Sequence, residues 1–167
     1  MEKTVRMGET EVVLRASAGV LVIYKEQFGS EYINDLAELK ENEDNERAID
    51  IGGKLIWAMA KAHDDKTPPP VEFYEEVGSF DMGAVFAEAA DLFDRSCEGI
   101  KEISDSDGSE QLTAEELVTS ALLCKMTVND LNKMSLAMVI NIISDYCAIK
   151  SGEGITREAT QRDFDNF

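Results

Sequence analysis

The chain is poor in the residues that carry reaction chemistry. Among its 167 residues are one His, one Trp and three Cys. Cys97, Cys124 and Cys147 stand far apart with no Cys-x-x-Cys pair, which argues against a disulfide framework or a thiolate metal cluster. They read as small apolar residues of a reducing compartment. His63 lies at the end of a predicted helix before Asp64-Asp65, where an imidazole suits the helix dipole better than catalysis. Proline occurs only as Pro68-Pro69-Pro70. There is no glycine-rich phosphate loop and no serine nucleophile elbow. Basic residues are also few: 16 Lys and Arg against 34 Asp and Glu, a formal net charge of −18. Nucleic-acid binding needs a basic face that displaces counterions, so that class is disfavoured. No apolar run reaches membrane-span length, and Met1–Arg6 holds no secretory apolar region. The expectation is a soluble cytoplasmic protein that contacts neither membrane nor nucleic acid and is not an enzyme. No catalytic, cofactor-binding or metal-ligating residue is assigned.

What the chain does have is apolar material and an uneven charge. Hydrophobic residues make up 44%, enough for a core. Residues 64–117 hold 16 acidic against 3 basic side chains, whereas residues 118–167 hold 6 against 5. Charge and apolar density both change near residue 117, which favours two functional parts. An acidic field also keeps a chain with exposed apolar surface in solution.

The apolar periodicity predicts a mainly α protein: a compact multi-helix domain over 1–103, a polar linker over 104–112, and a smaller helical extension over 113–167. Residues 3–6 and 10–15 suggest a short N-terminal β-hairpin around Gly8. Ser17 reads as the N-cap of a helix over 18–28, stopped by Gly29. A second helix is predicted over 30–41, with Tyr32, Leu36 and Leu39 on one face, and then a polar turn over 41–45. A third helix is predicted over 46–62. Ile49, Leu55, Ile56, Met59 and Ala60 form its inward stripe, and Gly52-Gly53 lowers its intrinsic stability. The three prolines give a stiff connector, followed by helices over 71–77 and 83–103. Thr113-Ala114-Glu115-Glu116 is an N-cap signature for a helix to about residue 125. Thr127 starts a short helix, and Ser135 caps an apolar helix over 136–150. Residues 153–167 form a polar tail with two late Phe residues.

Two blocks of short motifs follow one another along the chain. The upstream block contains Leu14-Arg15-Ala16-Ser17-Ala18-Gly19, Tyr24-Lys25-Glu26-Gln27-Phe28-Gly29 and Leu36-Ala37-Glu38-Leu39. Ile56-Trp57-Ala58-Met59-Ala60-Lys61-Ala62 and the Pro68–Pro70 stretch leading to Phe73 follow in the same order. This block resembles the shorter product of the tail assembly chaperones of long-tailed bacteriophages and prophages of Gram-positive bacteria. The downstream block runs from Leu123-Cys124-Lys125-Met126-Thr127-Val128-Asn129-Asp130-Leu131 through Leu136-Ala137-Met138-Val139 to the ending Ala159–Phe167. It resembles the extension that the family often adds by ribosomal frameshifting. The resemblance implies a role in tail morphogenesis in the bacterial host cytoplasm. The shorter product coats the apolar tape-measure protein, the extension recruits major tail-tube subunits, and the chaperone is absent from the mature virion. Self-association stays an open alternative.

The residue pattern is compatible with that role. The helix over 136–149 is apolar on more than one face, with Leu136, Val139, Ile140 and Ile143 on one side and Met138 and Ile142 on another; such a helix must be buried or bound. Met126, Met134 and Met138 are adaptable contact residues. The candidate partner-binding residues are Trp57, Met134, Met138, Ile142, Phe164 and Phe167, each with core packing or, for the two Phe residues, an idle tail as its alternative.

Two other functions compete. Asp105 to Glu116 imitates an EF-hand calcium loop, with Asp107, Ser109, Thr113 and Glu116 at the ligand spacings. The turn glycine belongs where Glu110 stands, and no second loop pairs with it. The net charge also fits an acidic DNA-mimic inhibitor, although the acids cluster in the middle of the chain rather than along its whole length.

Overall fold

The computed structural model describes residues 1–42, 45–100 and 113–151. It is mainly helical, with one two-stranded antiparallel hairpin. The hairpin joins β1 (Glu2–Met7) to β2 (Thr10–Arg15), with Val5 opposite Val12 and Met7 opposite Thr10. Apolar and polar side chains alternate along β1, so Val5 and Met7 turn inward with Leu14 of β2, while Glu2, Thr4 and Arg6 face water. Gly8 makes the turn with φ +62°, and a Cβ there would lie 2.8 Å from the Val77 carbonyl oxygen. Both the backbone angle and the close approach require glycine.

Helix α1 (Gly19–Phe28) forms where the sequence suggests, but without the expected cap. Ala18 is already helical in backbone angles, and the Ser17 side chain does not cap the helix. The Ser17 hydroxyl is buried with no hydrogen-bond partner among the described residues. The first turn is closed by the Val20 N–H donating to the Ser17 carbonyl, so the side-chain cap is displaced by a backbone turn. At the other end Gly29 takes the left-handed conformation and its N–H donates to the Lys25 carbonyl, as expected of a glycine stop.

Helix α2 (Tyr32–Asn42) and helix α3 (Asn45–His63) extend into the polar run Glu41–Asn45 from both sides, leaving less of it for a turn than expected. Part of that run, and the Leu39 side chain, lie outside the described residues. Helix α3 is the centre of the fold. Ile51, Leu55, Ile56, Trp57, Ala58, Met59 and Ala60 are all buried, because α1, α2, α4, α5 and the hairpin pack around it. The expected inward stripe holds at Leu55, Ile56, Met59 and Ala60. It fails at Ile49, which is 58% exposed: it shares the face of Ile56 two turns on, yet no described residue covers it. Gly52 serves close approach, whereas a Cβ on Gly53 would meet only ordinary contacts. The Phe86 ring lies against Gly52, and the Tyr74 hydroxyl donates to the Gly53 carbonyl.

Helix α4 (Pro70–Val77) starts with proline in its first turn, where the missing N–H costs nothing, and buries Phe73 and Val77. Helix α5 (Met82–Cys97) is capped by Asp81, whose carboxylate accepts from the Ala84 N–H at 3.1 Å. It stops at Cys97 rather than near residue 103. Glu98 is extended and Gly99 has φ +82°, so the backbone leaves the helix there.

Helix α6 (Ala114–Leu123) opens with the expected capping box between Thr113 and Glu116. It closes at Lys125, a non-glycine residue at φ 63°, where the Lys125 and Met126 N–H groups donate to the Leu122 and Ala121 carbonyls. A second capping box, Thr127 with Asp130, opens the short helix α7 (Val128–Leu131). Helix α8 (Leu136–Ser151) begins at Ser135, whose hydroxyl accepts from the Met138 N–H at 3.3 Å.

Leu117, Ala121, Leu131, Leu136 and Val139 of α6–α8 join the same hydrophobic cluster as Val20 and Leu21 of α1. Polar contacts fasten this union. The Ala18 N–H donates to the Met134 carbonyl at 2.9 Å, and the Asn141 amide donates to the Gly99 carbonyl at 2.9 Å. Gly19 packs so closely against the Asn132 amide that a Cβ would overlap it. The linker over 104–112 and the tail over 153–167 lie outside the described residues.

Candidate partner-binding surfaces

Helix α8 is two-sided, as its sequence suggests. Leu136 and Val139 are buried, and Ile140 and Ile143 pack half-buried on the same cluster. Met138 is 51% exposed and Ile142 37% exposed; four residues apart, they share one face. Together they make the uncovered apolar side of α8 among the described residues.

The other candidates are placed differently. Met134 packs half-buried against the core. Trp57 is 3% exposed, its indole N–H donates to the Pro68 carbonyl at 2.8 Å, and Phe28 meets its ring edge-on at 5.6 Å. With its ring enclosed and its one donor used, Trp57 is a core residue that holds the connector to α4 rather than a surface anchor. Phe164 and Phe167 lie outside the described residues.

A second apolar surface was missed by sequence reasoning. A hollow of about 300 Å³ is lined by Phe28 of α1, Ile49 and Gly53 of α3, Pro70, Val71 and Tyr74 of α4, and Met82 of α5. A neighbouring hollow of about 260 Å³ shares Ile49 and Met82 and ends at Phe86. Val71 is 71% exposed. The two hollows adjoin at Ile49 and Met82, with Gly53 in the lining of the first, while Gly52 lies beneath the Phe86 ring. A trace of this lies in the sequence, where Val71 stands between Pro70 and Glu72 in the first turn of α4.

Polar groups fix the walls. Burial pushes the Tyr74 phenol well above its ordinary pKa, so it stays a neutral donor to the Gly53 carbonyl. Lys54 pairs with Asp50 at 2.6 Å and lies over the Phe28 ring at 5.8 Å.

Two charged clusters elsewhere are structural in their geometry. Asp35 is buried and accepts from the Tyr24 and Ser30 hydroxyls at 2.7 Å each, with Arg47 at 3.3 Å; these contacts join α1, α2 and α3. Burial, and then the Asp35 carboxylate, push the Tyr24 pKa up. Glu2 accepts from Arg15 at 2.8 Å and lies 3.0 Å from His63 Nδ1, and Arg15 reaches on to the Ala62 carbonyl. Hydrogen bonds from Arg15 and then His63 hold the Glu2 carboxyl below its usual range. His63 thus ties the end of α3 to the hairpin.

Glu116, the last position of the calcium-loop spacing, accepts from both the backbone and the hydroxyl of Thr113. Residues 105–112 of that spacing lie outside the described residues. Among the described residues no group of His, Cys, Asp and Glu converges to hold a metal, and no helix is long and apolar enough to cross a membrane. Comparison with family models, curated proteins and solved structures finds no match to this chain.

Proposed function

We propose that the protein is a phage tail assembly chaperone, a binding protein rather than an enzyme, which keeps the tape-measure protein soluble and recruits tail-tube subunits in the host cytoplasm. The sequence resemblance supplies the role. The observation that carries it is on α8, where one face packs into the core and the opposite face presents Met138 and Ile142 to solvent. A chaperone for apolar segments needs such uncovered, adaptable surface. It also needs charge to stay dispersed, and the net charge of −18 supplies it. On this reading the α8 face and the Phe164/Phe167 segment engage tube subunits, and the upstream body engages the tape measure.

The experiment is co-expression with a phage tape-measure protein. The expected result is a higher soluble yield and co-purification, with duplex DNA neither bound nor competing. The same charge also suits a DNA mimic. Inhibition of a DNA-binding enzyme, with no effect on tape-measure solubility, would establish that reading instead.

A further inference from the structure

We infer that helices α6–α8 dock on the rest of the fold as a detachable unit, which comes off α1 while the hairpin and α3 stay folded. The device is a property of the fold and does not depend on the chaperone reading.

The seam between this unit and the upstream body gathers the groups that folding leaves without partners. Among the described residues, three buried side-chain atoms have no hydrogen-bond partner: Ser17 Oγ, Glu31 Oε1 and Asn132 Oδ1. Each belongs to a residue at the seam. Asn132 lies against Gly19, where a Cβ would come 1.8 Å from its Oδ1. Glu31 Oε2 accepts from the Ala114 N–H of α6 at 3.1 Å, while Oε1 faces Lys25 at 3.3 Å in an ion pair outside hydrogen-bond geometry. Ser17 directly precedes Ala18, whose N–H donates to the Met134 carbonyl.

A buried polar atom without a partner has lost its water and gained nothing in return. Opening the seam hydrates it again, which offsets part of the cost of exposing apolar surface. Among the described residues α3 carries no such atom.

Packing at the seam is also incomplete. A hollow of about 300 Å³ lies between α1 and α6, lined by Val22, Lys25, Glu26, Ala114, Glu115 and Val118 among others. The two helices therefore do not interdigitate along their whole length. Lys25 is engaged by Glu31, and Glu26 and Glu115 line the hollow from α1 and α6 as like charges. Against this, Leu117, Ala121, Leu131, Leu136 and Val139 of the unit are buried, and the Asn141 amide holds the Gly99 carbonyl. The seam is closed at rest, with a lower opening cost than the body around α3. Opening uncovers those five side chains together with Val20 and Leu21 of α1, apolar surface that the closed form hides.

The test is amide hydrogen exchange of the full-length protein, followed by NMR in denaturant below the unfolding transition. The amides of Leu117, Leu131 and Val139 should exchange through one shared opening, populated at least about tenfold more than the one that releases Leu55, Ile56 and Met59. Gly19→Ala wedges the seam and should raise exchange in α6–α8 by about tenfold or more while leaving α3 unchanged. Ser17→Ala and Asn132→Ala each remove an unpartnered atom and should each lower it by about threefold or more. If Gly19→Ala does not fold, the wild-type chain and the other two variants decide the matter. Release of α6–α8 only together with α3, equal acceleration of both by Gly19→Ala, or unchanged exchange in both Ser17→Ala and Asn132→Ala overturns the inference. Exchange of α8 alone, with α6 protected as long as α3, is fraying of one helix and overturns it too.

Discussion

Gly52 lies against the ring of Phe86: a Cβ on Gly52 would come 2.9 Å from Cγ of that ring. The contact is with the root of the side chain, which cannot swing aside without moving α5. Gly53 differs. A Cβ there would meet the Tyr74 hydroxyl at 3.6 Å, an ordinary contact. Replacing a mid-helix glycine by alanine gains about 0.5–1 kcal/mol of helix stability, whereas overpacking costs about 1–3 kcal/mol. Gly53→Ala should therefore raise the urea midpoint and Gly52→Ala should lower it. The reverse order would remove close approach as the reason for Gly52.

Lys125 closes α6 at φ 63° in a place that glycine usually fills. The left-handed region costs a side-chain-bearing residue about 1–2 kcal/mol, and glycine's freedom in the unfolded chain gives back about 0.5–1. Lys125→Gly should stabilise the protein by roughly 0.5–1 kcal/mol, read as a raised midpoint with an unchanged denaturant slope. An unchanged or lowered midpoint would mean that the lysine stem makes compensating contacts.

The two capping boxes give the extension a pH signature. Glu116 accepts from the Thr113 N–H at 3.0 Å and Asp130 from the Thr127 N–H at 2.8 Å. Hydrogen bonds hold both carboxyls below their ordinary range: for Glu116 mainly the backbone N–H of Thr113, for Asp130 mainly the Thr127 hydroxyl. The folded state then binds fewer protons than the unfolded state in acid. Their stabilisation is complete above the unfolded carboxylate range and is lost as pH falls through the lowered folded values. The gap in melting temperature between wild type and the Glu116→Gln/Asp130→Asn variant should be largest near neutrality and close in acid. A gap independent of pH would show that the charge contributes nothing to either cap.

What could be read from the sequence was local. Thr113 and Glu116 stand at the spacing a reciprocal cap needs, and the structure forms it. Gly29 stops α1 because its backbone angle is available to glycine. Spacing alone divides α8 into two apolar faces, and the packing of α5 and α6 then turns Leu136 and Val139 in and leaves Met138 and Ile142 out. What could not be read depended on neighbours distant in sequence. Ser17 carries a capping side chain but is enclosed where the backbone supplies the turn. Ile49 has the phase of a core residue, yet the cover it would need belongs to α4 and α5, which stop at the edge of the hollow. Gly52 and Gly53 look like defects until Phe86 and Tyr74 are placed over them. The α8 face was legible and the hollow was not, because one surface belongs to a single helix and the other to four.

The division of labour between these surfaces can be tested in the full-length chain. Truncation near residue 104 would remove Leu117, Leu131 and Val139 from a cluster that also holds α1, so lost binding could reflect exposed core. Substitution avoids this. Met138→Glu with Ile142→Glu changes only outward side chains of α8 and should leave the melting curve within a few degrees of wild type. It should greatly reduce recovery of tail-tube protein and leave tape-measure recovery intact. Phe164→Ala with Phe167→Ala should reproduce part of the same loss, since truncating an interface aromatic commonly costs about 2 kcal/mol or more. Ile49→Glu should show the opposite pattern, losing tape measure and keeping tube protein. Pull-down of both partners by the three variants separates the surfaces. If the α8 variant and the Ile49 variant lose the same partner, the two surfaces form one continuous site. If the α8 and tail variants recover tube protein as well as wild type does, the downstream surface has no part in recruitment, and the apolar side of α8 needs another occupant.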